Sequence, residues 1–160
     1  MFNIVLVEPR IAGNVGTIGR YCYNLGFTLH IVGPHFLDYD NKKIMRAGLD
    51  YWDKLDVILY DDTNDFLSKN TNVDRFFYAS TKAKKYFCDD LGYQAGDYFI
   101  FGSESFGLPQ PQFIDLMKKY PQNVIKVPQK KHGRSLNLAL SVAAISAYAL
   151  AQNISDFKEI

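Results

Sequence analysis

The chain has little of what metal, redox and membrane proteins usually need. Its 160 residues hold two cysteines, Cys22 and Cys88, which form no CxxC pair and suggest no disulfide framework. Cys22 falls within an apolar helical pattern, so a reduced, packed thiol is expected there. His30, His35 and His132 lack a cysteine or carboxylate at metal-ligand spacing, which argues against a zinc site. No GxxxxGK[ST] occurs and the first glycine cluster does not spell GxGxxG, so neither a P-loop nor a dinucleotide fingerprint is present. Asn3, Glu8 and Arg10 interrupt the early apolar run, against a signal peptide. The 136–150 stretch is too short, and too rich in Ser and Ala, for a membrane span. A cytoplasmic location without membrane contact is expected. Charge of one sign is also scarce in excess: the net value is +1, which does not by itself announce a nucleic-acid binder.

What is present is a core. Nearly half the residues are apolar, with 12 Phe and 11 Tyr. A chain of this length makes one domain, residues 1–160, able to bury a substantial interior. Apolar runs at 2–7, 28–32, 57–60, 75–80, 97–101 and 124–127 predict strands. The three- and four-residue spacing of Val15, Ile18, Cys22 and Leu25 predicts a first helix closed by Gly26. Further helices are predicted over 42–48, 63–69, 111–119 and 136–152. This alternation implies an α/β fold, a parallel-dominated sheet with helices on both faces.

Three polar, glycine-containing segments lie just beyond predicted strand ends, where open α/β sheets place their ligands. They are Asn14-Val15-Gly16-Thr17-Ile18-Gly19-Arg20, Phe101-Gly102-Ser103-Glu104-Ser105-Phe106-Gly107-Leu108-Pro109, and the stretch from Val127 to Leu138. Gly13, Gly16 and Gly19 imply close backbone packing or close ligand approach. Arg20 points away from the apolar stripe of its helix. Ser135 or Asn137 suits a helix cap. The pairs Asp61-Asp62 and Asp89-Asp90 read as caps rather than catalysts. Lysines and arginines gather at 42–46, 82–85 and 126–134, a candidate phosphate-facing surface. A serine hydrolase is disfavoured. Asp115 and His132 follow Ser103 and Ser105 in a plausible order, but one extra residue separates the glycines, so no GxSxG elbow forms.

Taken together, Asn14-x-Gly16-x-x-x-Arg20, Arg46-Ala47-Gly48-Leu49-Asp50-Tyr51, Phe101-Gly102-Ser103-Glu104-x-x-Gly107-Leu108-Pro109 and Arg134-Ser135-Leu136-Asn137-Leu138 carry a family resemblance over essentially the whole chain. The sequence resembles the SPOUT class of RNA 2′-O-ribose methyltransferases. Within that class it is most similar to the small bacterial enzymes that act on the cytidine or uridine at the tRNA wobble position. The resemblance implies a deep C-terminal trefoil knot, S-adenosylmethionine as cofactor, tRNA as substrate and a homodimer built on the first and last helices. Catalytic roles would fall on Arg20, Asn14, Glu104, Ser135 and Asn137. In that scheme Arg20 binds phosphate and stabilises the developing alkoxide, oriented by Asn14 and Glu104. Cofactor contacts would fall on Ala79, Gly102, Val127, Ser135 and Leu136, with Gly102 letting the cofactor approach the backbone. The last helix departs from the family pattern, reading Ala147-Tyr148-Ala149-Leu150 in place of Tyr-Glu-Ala-Trp, and Ser103 stands where the wobble group often has Pro. A ribose methyltransferase for another RNA, such as ribosomal RNA, and a catalytically silent knotted RNA-binding module are the competing readings.

Overall fold

A computed structural model of the protein describes residues 1–37 and 51–156. Seven strands form one sheet: β1 (Asn3–Val7), β2 (Thr28–Val32), β3 (Val57–Tyr60), β4 (Phe76–Ala79), β5 (Lys85–Tyr86), β6 (Tyr98–Phe101) and β7 (Val124–Lys126). Their spatial order is β3-β2-β1-β6-β4-β7-β5, and every pairing is parallel. Among the described residues, four α-helices accompany them: α1 (Ala12–Leu25), α2 (Thr63–Lys69), α3 (Pro111–Lys119) and α4 (Leu138–Gln152). The helix predicted over 42–48 lies outside the described residues.

Both faces of the sheet are covered, as a parallel sheet requires. In β1, Ile4 and Leu6 join one core with Val15, Ile18 and Cys22 of α1 and Val142, Ile145 and Ala149 of α4. Val5 and Val7 point the other way, into a core with Phe66 of α2 and Phe113 of α3. The period-two alternation of a strand thus feeds two separate interiors. Cys22 is fully buried, and that burial pushes its thiol up to about 12. It is a packed hydrophobe, as its helical spacing predicts.

Helix boundaries follow local chemistry. Gly26 ends α1 in the left-handed region, its N–H reaching the carbonyls of Cys22 and Tyr23. Asp62 caps α2 by accepting the Asp65 N–H at 2.9 Å, which bears out its reading as a cap. Within α1, Gly19 and the Gly16 backbone meet the 51–55 segment. A Cβ on Gly19 would lie 3.1 Å from the Trp52 ring, and the Gly16 carbonyl accepts the Tyr51 hydroxyl at 2.6 Å.

Two polar clusters brace the opposite, amino-terminal part of the sheet. Arg75 donates through Nε and Nη2 to the buried Asp97 carboxylate at 2.7 and 2.6 Å, and to the Gly92 carbonyl. On β2, His30 sits among Tyr60, Phe66 and Tyr98. Asn3 uses its amide N–H on the Gly96 carbonyl, so its Oδ1 faces His30 Nε2 at 3.0 Å and must accept from it. Tyr60 then donates to Nδ1 at 2.9 Å, and burial pushes the imidazole down to about 4.

Candidate active site

The carboxyl ends of β4, β6 and β7 open onto a cleft of about 840 Å³. Its walls include Ala79 at the end of β4, Gly102 after β6, Val127 after β7, and Ser135 and Leu136 from the loop that enters α4. All five residues expected to hold a cofactor therefore border a single cleft. Ile125, Leu138 and Ile145 give it apolar walls, while Lys82 and Lys126 bring positive charge to it.

Along one side runs a hydrogen-bonded relay built from three distant parts of the chain. Glu104 accepts the Asn14 amide N–H at 3.0 Å and the backbone N–H groups of Arg10 and Ile11 at 2.9 and 3.2 Å. Asn14 Oδ1 accepts the Asn137 amide N–H at 2.9 Å. Asn137 Oδ1 accepts the Ala139 and Leu140 N–H groups at 2.8 and 3.4 Å, capping α4. Polarity is fixed at both ends: helix N–H groups demand an oxygen from Asn137, and a carboxylate demands a donor from Asn14. Burial alone would raise the Glu104 carboxyl. The Asn14 and backbone donors outweigh it and hold the group below the usual carboxylate range. Glu104 is thus an ionised acceptor at neutral pH, suited to positioning rather than to giving up a proton.

The hairpin that carries Glu104 explains Gly102 differently from the expectation. Ser103 and Gly107 exchange both backbone hydrogen bonds, at 3.0 Å each. A Cβ on Gly102 would fall inside the shells of Gly107 C and O and Leu108 N. The glycine is needed so that this hairpin can fold back on itself, because the place a Cβ would take is filled by the hairpin. Ser103 is buried and its hydroxyl accepts the Phe106 N–H at 3.1 Å, so it caps the turn and is no exposed nucleophile.

Arg20 stands apart. Six positions after Asn14, it is about 9 Å farther along the helix axis and turned by roughly 120°. It is exposed, lies with its guanidinium 5.6 Å from the Tyr51 ring centroid, and is not among the cleft walls. Among the described residues, the hydrogen bonds of Asn14 and Glu104 go to each other, to Asn137 and to the Arg10–Ile11 backbone. Through these bonds Asn14 and Glu104 anchor α1 and α4 to the hairpin. Sequence reading gives no site role to Arg10, Ile11 or Phe106. An exposed aromatic in a glycine-bounded turn was the available signal for the last. Among the described residues, no group of three or more His, Cys, Asp or Glu side chains could hold a metal ion, and no helix is long and apolar enough to cross a membrane.

Comparison with known proteins agrees with this architecture. The tRNA (cytidine(34)-2′-O)-methyltransferase of Photorhabdus asymbiotica is 40% identical over 149 residues, covering 91% of this chain and 90% of that protein. The Escherichia coli protein of the same name is 39% identical over 145 residues, covering 91% and 89%. A solved structure described as giving structural insights into the 2-OH methylation of C/U34 on tRNA matches with a TM-score of 0.85 and 33% identity, covering 97% of both chains. The model of the SpoU rRNA methylase family matches residues 1–147. With that match spanning both the relay and the cleft, the chain belongs to the SpoU rRNA methylase family.

Proposed function

We propose that the protein transfers a methyl group from S-adenosylmethionine to the ribose 2′-hydroxyl of the wobble nucleotide, cytidine or uridine 34, of tRNA in the cytoplasm. The observation that carries this reading is the convergence of Ala79, Gly102, Val127, Ser135 and Leu136 on one cleft bordered by the Glu104–Asn14–Asn137 relay. Relatives named for this reaction, matching over nine-tenths of the chain, support it.

The cleft suits such a cofactor. Its volume falls within the usual range for cofactor sites, and its apolar walls meet the loop residues Val127 and Leu136. When bound there, the cofactor supplies an electrophilic methyl on a positively charged sulfur. The protein's residues have the other tasks. Ile125, Leu138 and Ile145 exclude water from an adenine-sized ligand, and Ser135 donates or accepts at the entrance. Asn14, Glu104 and Asn137 hold the walls at fixed separation, so the reacting oxygen is aligned before the reaction. Methyl transfer would join the 2′-oxygen to the methyl carbon as the carbon–sulfur bond is given up, with the hydroxyl proton passing to solvent. Arg20 lowers the energy of the developing alkoxide and binds the adjoining phosphate, a role its permanent charge fits.

Arg20 is not among the walls of its own chain's cleft, and a homodimer that brings it to the partner copy's cleft belongs to the proposal. Exposed Ile11, Leu136 and Leu140 form an apolar rim beside the cleft, Leu140 at 62% exposure. Pairing α1 and α4 of two copies over that rim would cover it and carry Arg20 of one copy to the cleft of the other. The C-terminal segment is read as a trefoil knot on similar grounds: β7 lies between β4 and β5, and Tyr148 of α4 reaches back to the Cys88 carbonyl at 3.1 Å.

The test is methyl transfer from labelled S-adenosylmethionine to tRNA from cells lacking wobble methylation, with the product mapped by nuclease digestion and mass spectrometry. A 2′-O-methyl mark at nucleotide 34 is the expected result. Transfer to ribosomal RNA alone would move the substrate, and cofactor binding without transfer to any RNA would overturn the enzymatic reading.

A further inference from the structure

At the outer edge of the cleft, on the far side of Glu104 from the relay, three side chains stack in a row that the reaction scheme leaves unused. The Arg10 guanidinium carbon lies 3.5 Å from the Phe36 ring centroid and 5.4 Å from that of Phe106. Phe106 is 67% exposed and Phe36 48%, yet both are large aromatics in a protein that buries most of its phenylalanines. The row is fixed from below. Glu104 accepts the backbone N–H of Arg10, the Ser103 hydroxyl accepts that of Phe106, and the Glu8 carboxylate lies 3.8 Å from the Arg10 guanidinium. Phe106 itself lines the cleft, in the same Ser103–Gly107 turn that carries Glu104.

Resting on the reading of the cleft as a ribose-methylating site, we propose that Phe106, backed by Arg10 and Phe36, is the stacking platform for the base of the target nucleotide. A ribose positioned within the cleft leaves its base to be placed at the rim. An unpaired base needs a π-face there, and stacking tolerates either pyrimidine because each has one. The guanidinium between two rings adds a cation to the stack without needing a base-specific hydrogen bond. Lys82 and Lys126 on the cleft wall, with Lys130, Lys131 and Arg134 exposed in the following loop, complement the phosphates on either side. Phe106 is therefore a substrate-binding residue that holds the target base and with it the register of the 2′-hydroxyl.

The experiment uses the full chain and a single-stranded anticodon-loop RNA with 2-aminopurine at the target position, read by fluorescence on binding, together with methylation kinetics on unmodified tRNA. The wild type should quench the probe. Phe106→Ala and Phe106→Leu should both lose the quenching and raise the KM for tRNA about 5- to 150-fold, the range for removing one base–aromatic stack. Phe106→Trp should restore both. Recovery with Trp but not with Leu separates stacking from mere apolar cover, and unchanged thermal melting confirms that each exposed-site variant is folded. Unaltered quenching and KM in Phe106→Ala would overturn the platform while leaving the methylation reading intact. Quenching by a wild type that methylates no RNA would overturn the methylation reading and keep the platform. A wild type that neither quenches nor methylates would overturn both.

Discussion

Asn14→Asp makes the sharpest test of the relay, because it preserves shape and changes one group. In the wild type, Asn14 donates to Glu104 at 3.0 Å and accepts from Asn137 at 2.9 Å. An aspartate still accepts from Asn137 but sets a second carboxylate against Glu104. At an effective dielectric of about 20, two such charges repel by roughly 5 kcal/mol. Solvent at the cleft edge screens part of this, leaving about 2–3 kcal/mol, equivalent to roughly two pKa units. The introduced carboxyl is therefore raised from about 3.9 towards 6 in the folded protein. A group raised by folding contributes its stability below the unfolded pKa and loses it as pH rises through the folded one. Relative to wild type, the variant should match closely at pH 4, where the shared proton restores the donor. It should then lose about 2–3 kcal/mol between pH 4 and 6 and stay flat above. For a domain of this size that is a fall in Tm of about 4–12 °C. Thermal melts of both proteins across pH 4–8 measure it, and taking the difference cancels every titration they share. A melting difference that is constant across that range would refute the relay.

The remaining expectations concern separate parts of the molecule. His30 is neutral and buried, its pKa pushed down to about 4, so the unfolded chain binds the extra proton more readily. Wild-type stability should thus be fully present above about pH 6.5 and fall by about 3 kcal/mol towards pH 4, with His30→Gln abolishing that slope in urea titrations. Gly102→Ala forces the Ser103–Gly107 hairpin off its seat. It should cost about 1–3 kcal/mol, as overpacking does, and weaken cofactor binding by calorimetry more than the same change at Gly13, where added bulk meets nothing within 4 Å. If Arg20 serves the other copy's cleft, mixing inactive Arg20→Ala with an inactive cleft variant such as Gly102→Trp should restore about a quarter of wild-type methylation after subunit exchange, since C2 dimers place one intact composite site in each mixed pair. No recovery from a mixture proven to exchange would return Arg20 to its own chain.

How much was legible in the sequence depended on range. Elements whose signals are local came through. The 111–119 helix has Pro111 at its first turn and basic Lys118 and Lys119 in its last, and its observed bounds are the expected ones. The final helix starts two residues later than expected because Asn137, not Ser135, is the cap. Strand β5 escaped notice, since two residues carry no period and it exists only through pairing with β7. The candidate site was legible as names before it was legible as a mechanism. Family resemblance singled out Asn14, Glu104 and Asn137. That they bond in series, with polarity set by a carboxylate at one end and a helix terminus at the other, needs contacts across 90 and 123 positions of sequence. Gly102 shows the same limit. A glycine after a strand suggests an approaching ligand, whereas what approaches here is Gly107.

The span of the relay also has a consequence in time. Asn14 and Asn137 are separated by 123 positions, so at roughly 5–20 residues per second the ribosome delivers the second about 6–25 s after the first. Until then Asn14 has only one of its two side-chain partners, α4 has no cap, and the cleft lacks the wall formed by Ser135, Leu136 and Leu138. The last segment therefore delivers in one step the Asn137 cap of α4, the end of the relay and one wall of the cleft.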